Sequence, residues 1–208
     1  LKLPNNSQSL WIATAKGKNF PALKADLTVD VAIVGAGITG LTAATLLKKA
    51  GLSVAVIEAK RVAEGVSGYT TAHITEALDR SYGQLIKDFG EDNARLATES
   101  GRAALARIAG LVREEGIDCD FSRVPAFQYT EDPKMVPELE AERKAAATIG
   151  SRVTLTRKVP LPFKVAGALR FDRQAQLHPR RYLLPLAHTI PGDGSHVFEH
   201  TRVVDVED

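Results

Sequence analysis

The segment "DVAIVGAGITGLTAATLLKKAGLSVAVIEAK", residues 30–60, decides how the chain is read. Val31 to Val34 form a short run rich in β-branched residues, which predicts a strand buried on both faces of a parallel sheet. The chain then turns at Gly35-Ala36-Gly37. Gly35 permits a tight turn, Gly37 lets backbone approach a pyrophosphate with no Cβ in the way, and Gly40 lets the next helix lie close to the strand. That helix is predicted from Ile38 to about Ala50, with Leu41, Ala44 and Leu47 or Lys48 at helical spacing and Gly51 as its stop. A second apolar strand, Ser53 to Ile57, ends in Glu58.

An ionised carboxylate at that strand tip suits a ribose diol, because it accepts hydrogen bonds from both hydroxyls and donates none. It also repels a 2′-phosphate, which argues against NADP. Strand, glycine loop, helix, strand and acidic tip together predict a dinucleotide-binding unit; an ordinary βαβ unit with a solvated Glu58 leaves their coincidence unexplained. The loop alone does not separate FAD from NAD. An NAD-dependent dehydrogenase and a non-enzymatic nucleotide-binding module therefore stand beside a flavoprotein at this point.

The chain has 208 residues and a formal net charge of +2, so no global field recruits nucleic acid or an anionic membrane. No apolar run is long enough to span a bilayer, and the start lacks a signal-peptide core, so the expectation is a soluble, cytoplasmic protein. The single cysteine, Cys119, excludes an internal disulfide or a cysteine-held cluster within these residues, and reads as a small buried hydrophobe. None of the five histidines shows the spacing of a metal site or triad, so no metal ligand and no catalytic residue is assigned.

Residues 1–28 read as an N-terminal arm with isolated large apolar groups (Leu10, Trp11, Phe20, Leu23), and residues 29–208 as one dinucleotide-binding domain carrying an inserted segment at about 81–175. Within the insertion, "SYGQLIKDFG" and Glu91 to Glu115 read as helices, the second with Ala94, Ala97, Ala104, Ile108 and Leu111 on one stripe. Cys119 to Tyr129 reads as a strand, Val136 to about Thr148 as a helix, and Arg152 to Phe171 as short strands. "LHPRRYLLPLAHTI" is a helix with Pro179 in its first turn, which Pro185 should kink or divide. The remainder reads as a turn and one or two strands.

With the glycine loop, Glu58 and "GVSGYTTAHIT" (65–75) in hand, the chain resembles the N-terminal part of the flavin-dependent family that includes D-amino-acid oxidase, glycine oxidase and sarcosine oxidase. "GITGLTAATLLKKAG", "EEGIDCDF" and "QLHPRRYLLPLA" are similar to a bacterial subgroup whose members often carry a C-terminal Rieske iron–sulfur domain. The resemblance implies a Rossmann-like α/β fold, FAD as cofactor, an amine or amino-acid substrate and hydride transfer to flavin N5. It places Ser67, Gly68, Thr70, Thr71, Ala72 and His73 on the loop that reaches the flavin, and Val203, on a strand in "EHTRVVDVE", at the adenine. Ile38 and Thr39 at the helix start and Ala59 and Arg61 after the carboxylate complete the cofactor-binding candidates; Arg61 reads equally as a solvated base. His73 and Trp11 also admit plain structural roles. Family enzymes are longer, so the resemblance implies a C-terminally truncated piece with an incomplete substrate domain and a Rieske domain in the longer parent. Expected consequences are weak or absent FAD, no amine oxidation by this chain alone, and self-association through exposed apolar surface.

Overall fold

In a computed structural model of the chain, β1 (Val31–Val34) and β2 (Val54–Ile57) are adjacent parallel strands, with Val31 opposite Val54 and Val34 opposite Ile57. The structure describes residues 8–207, so the first seven residues of the arm and Asp208 lie outside the described residues. The chain divides into two compact units: 1–72, 112–119 and 178–208 form the first, and 73–111 with 120–177 the second. The inserted segment thus starts at His73 and is interrupted by 112–119, where the sequence suggests an unbroken stretch at about 81–175.

In the first unit the sheet order is β1-β2-β7, with β7 (His196–Phe198) parallel to β2. β2 is buried, and this central position suits an unbroken apolar run rich in β-branched residues. β1 corrects the expectation of burial on both faces: it is the edge strand, its exposure alternates, and Val34 is 64 % exposed. Between them α2 (Ile38–Lys49) buries Leu41, Ala44 and Thr45 and stops where Gly51 takes a φ of +89°. It packs against α5 (Pro179–Thr189), whose Leu183, Leu186 and Ala187 are fully buried. Pro185 does not divide α5. It is half-buried, one turn after exposed Arg181, on the side of the helix away from Leu183, Leu186 and Ala187. Cys119 is buried, as its solitary occurrence predicts.

The arm carries a one-turn helix, α1 (Leu10–Thr14), capped by Ser9, whose hydroxyl accepts from Trp11 N–H. Farther along, Phe20 N–H donates to Glu199 Oε2 and Leu23 N–H to Thr201 Oγ1, so the arm lies against the end of the chain.

The second unit has its own antiparallel sheet. β6 (Gly167–Gln176) is central; β4 (Ser122–Thr130), β5 (Val153–Thr156) and β3 (His73–Ile74) all pair with it. The β4–β6 register slips at Pro125, which has no N–H for the ladder. α3 (Tyr82–Glu114) is two helices joined at Gly90 (φ 79°, ψ 162°), and α4 (Val136–Thr148) follows a 3₁₀ turn opened by Asp132-Pro133. Tyr82, Leu85, Ala94, Leu139, Ile149, Leu169 and Phe171 form the core of this unit. The predicted stripe on α3 is partly corrected: Ala94 and Leu111 are buried, but Ala104 is exposed and Thr98 and Leu105 take the interior. Thr98 tolerates this because its hydroxyl donates to Ala94 O one turn back. Among the described residues, no helix is long and apolar enough to cross a membrane.

Candidate cofactor site

The turn after β1 places Gly35 at φ +96°, which L side chains rarely adopt. A Cβ on Gly40 would sit 2.0 Å from Gly35 O, so the start of α2 lies against the turn with no room for a side chain. The N-cap of α2 is Gly37; no side chain caps the helix there and its first turn has no acidic residue. A helix start with a glycine N-cap and no acidic residue in its first turn is suited to an anion, which the backbone N–H groups and helix dipole favour. Ile38 N–H is met by Ser67 Oγ at 3.1 Å, which brings the later loop over the helix start.

Glu58 stands at the tip of β2. Its Oε2 accepts from Ala36 N–H at 3.0 Å and its Oε1 from Lys60 N–H at 2.8 Å. Each carboxylate oxygen has two acceptor sites, so both retain capacity for a ribose diol while the backbone fixes their direction. Ala63 N–H donates to Ala36 O, joining the segment after Glu58 to the same turn.

Gly35, Gly37, Ile38, Thr39, Gly40, Glu58 and Ser67 are therefore brought together, and Ala59 follows directly. Gly68 is small for packing: a Cβ there would lie 2.6 Å from Ala63 O. Thr70 Oγ1 accepts from Ala72 N–H, and Ala72 is buried with φ +64°. Thr71 is exposed. Arg61 faces carboxylates of the protein itself, with Nε 3.7 Å from Glu64 Oε1 and 3.9 Å from Glu199 Oε1. His73 belongs to the second unit, where it pairs with Gln176 across the sheet.

Val203 is not on a strand. β7 ends at Phe198, and His200 at φ +50° turns the chain out of the ladder. The ladder is partly replaced: Thr201 N–H donates to Glu58 O at 3.0 Å, so the segment leading to half-buried Val203 starts beside the acidic tip.

Sequence reasoning missed the support behind this loop. Arg180 is 2 % exposed, and donates to Ala15 O (2.9 Å), Val62 O (3.2 Å) and Ala63 O (3.0 Å). Burial pushes its guanidinium below the usual range, and Glu64 opposes that shift. Buried Glu199 accepts from Val62 N–H at 2.8 Å. Both charged residues sit more than a hundred positions from their partners, and nothing local in "HPRRY" or "FEH" marks them as interior. Among the described residues no cluster of metal-ligating side chains occurs.

A glycine-lined helix start and a carboxylate fixed by two backbone N–H groups are the kind of donors and acceptors that suit a diphosphate and a ribose diol. The chain matches the family described as FAD dependent oxidoreductase (DAO) over residues 30–208. Bacillus subtilis YhfW, whose name places it among Rieske 2Fe-2S iron-sulfur proteins, is 36 % identical over 96 % of this chain and 39 % of its own length. Gamma-glutamylputrescine oxidoreductase of Escherichia coli is 26 % identical over 99 % of the chain and 50 % of its own length. Among solved structures, glycine oxidase from Geobacillus kaustophilus shares the fold with a TM-score of 0.68 at 22 % identity, over 86 % of this chain and 48 % of that one. L-amino acid deaminase from Proteus myxofaciens gives 0.67 at 17 % identity, over 93 % and 42 %. The chain thus spans half or less of the length of each of these proteins.

Proposed function

The chain belongs to the FAD dependent oxidoreductase family (DAO), and from that premise we propose that it is the FAD-binding part of an enzyme that oxidises an amine or amino acid. The observation that carries the reading is the fixed Glu58 carboxylate beside the glycine start of α2. Family membership decides for FAD over NAD. When bound, FAD supplies the two-electron acceptor for substrate oxidation, which no side chain of this chain can provide.

The protein residues hold and orient. Gly37, Thr39 and Gly40 offer backbone N–H groups to the diphosphate, Ile38 shares its N–H with Ser67 Oγ, Gly35 donates its own to Ile57 O and shapes the turn, and Glu58 accepts the ribose hydroxyls. Ala59 and Val203 line the adenosine, Arg61 adds positive charge, and Ser67, Gly68, Thr70, Thr71, Ala72 and His73 form the loop toward the flavin. The names of the relatives, a gamma-glutamylputrescine oxidoreductase, a glycine oxidase and an L-amino acid deaminase, support a substrate with an amino group. The name of YhfW supports a Rieske domain following this segment in a longer parent.

The test is reconstitution with FAD of this chain and of the longer parent, followed by anaerobic addition of simple amines and amino acids. Bleaching of bound flavin by an amine in the parent is the expected result. FAD uptake by neither protein, or bound flavin that only substrates without an amino group reduce, overturns the proposal.

A further inference from the structure

Residues 9–15 of the arm are fastened to the loop 62–72 at several points, all within the first unit. Trp11 Nε1–H donates to Thr70 O at 2.8 Å. Ile12 Cδ1 lies 3.3 Å from where a Cβ on Gly68 would be. Arg180 joins Ala15 O to Val62 O and Ala63 O through one guanidinium. Trp11 is itself held: its ring stands edge-on to His178 at 4.9 Å, and the His178 ring bonds Thr14 Oγ1 at 2.9 Å.

The loop needs such support. Ala63 and Ala72, near its two ends, are both buried and both in the left-handed region, at φ +55° and +64°. Alanine visits that region rarely, so the conformation persists only where surroundings impose it. Between them Val66 and Tyr69 are 89 % and 63 % exposed, and contribute little packing to hold the loop in place. A loop ordered before its ligand arrives binds more tightly, because the ordering entropy is not lost at binding.

We propose that residues 9–15 are a strap that holds the loop 62–72 in its ligand-ready conformation, with Trp11 as the positioning residue. This rests on the reading of that loop as a contact for FAD. Trp11 acts through the Thr70 carbonyl and touches no reacting atom.

Trp11 is the sole tryptophan of the chain, so its indole N–H gives a single NMR cross-peak. Before any FAD is added that peak should already exchange slowly with water, because the bond to Thr70 O is formed in the unliganded protein. Trp11→Phe keeps an aromatic ring and removes the donor; FAD affinity should fall about fivefold, the effect of one neutral hydrogen bond. Unliganded Trp11→Phe should melt like the wild type. If neither this chain nor its longer parent takes up FAD, the reading of the site fails; if only the parent does, Trp11→Phe is compared with the wild type there. If the unliganded indole N–H exchanges as fast as a solvent-exposed one, or Trp11→Phe binds FAD equally well, the strap is overturned. A variant that melts early without FAD shows Trp11 to be a general structural support and also overturns it.

Discussion

Glu58 Oε2 accepts a hydrogen bond from Ala36 N–H at 3.0 Å, so the acidic tip of β2 is tied to the glycine turn after β1. Glu58→Gln keeps the shape and removes the charge. FAD binding should weaken by roughly 1.5–3 kcal/mol for each charge-assisted bond lost. Isothermal titration against the wild type checks this.

Gly37 and Gly40 should separate binding from folding. A Cβ on Gly40 would meet Gly35 O at 2.0 Å, whereas one on Gly37 would meet only Ser67 Oγ, at 3.0 Å. Gly40→Ala should destabilise the unliganded protein by about 1–3 kcal/mol, the usual overpacking cost. Gly37→Ala should leave the melting temperature nearly unchanged and weaken FAD. Thermal denaturation without cofactor, paired with titration, distinguishes the two.

Arg180→Met should be among the most damaging single changes in the first unit. It leaves the carbonyls of Ala15, Val62 and Ala63 without the donor they share. Loss of a buried charged partner costs on the order of 3–5 kcal/mol, measurable by urea unfolding.

The local pattern was readable and the long-range pairing was not. Val31 to Glu58 could be read because each step has a local signature: apolar run, turn glycines, helix period, acidic tip. β1 as an edge strand was not, since exposure depends on which strands flank it and not on its own residues. On α3 a stripe counted through alanines takes Ala97 and Ala104, each one position short of the residues that go inside, Thr98 and Leu105. The left-handed turn at His200 likewise ends the ladder before Val203, at a residue that carries no glycine signal. Trp11 met Thr70 only in three dimensions.

His188 stacks on Phe20 of the arm at 5.2 Å, and burial, with Lys18 nearby, lowers its pKa below the ordinary 6.5. A folded value below the unfolded one means that the stability it contributes is full above about pH 6.5 and is lost as pH falls through that value toward the folded one. His188→Gln should remove this part of the slope. Urea midpoints of both proteins at about pH 7.5 and about pH 5.5 provide the check.

β1 lies at the edge of its sheet, with Val34 64 % exposed. Such an edge offers unpaired backbone groups to another chain. The chain of 208 residues should therefore self-associate with rising concentration, and Ala32→Lys should suppress this in light scattering.

The most direct measurement is a calorimetric titration of FAD, with NADH in parallel, into the longer parent of this chain as wild type and into its Gly37→Val and Glu58→Ala variants. Saturable binding of FAD to the wild type, weakened in both variants and not reproduced by NADH, is the expected result. No saturable FAD binding, or binding that both variants leave unchanged, contradicts the assignment of this turn and carboxylate as the cofactor site.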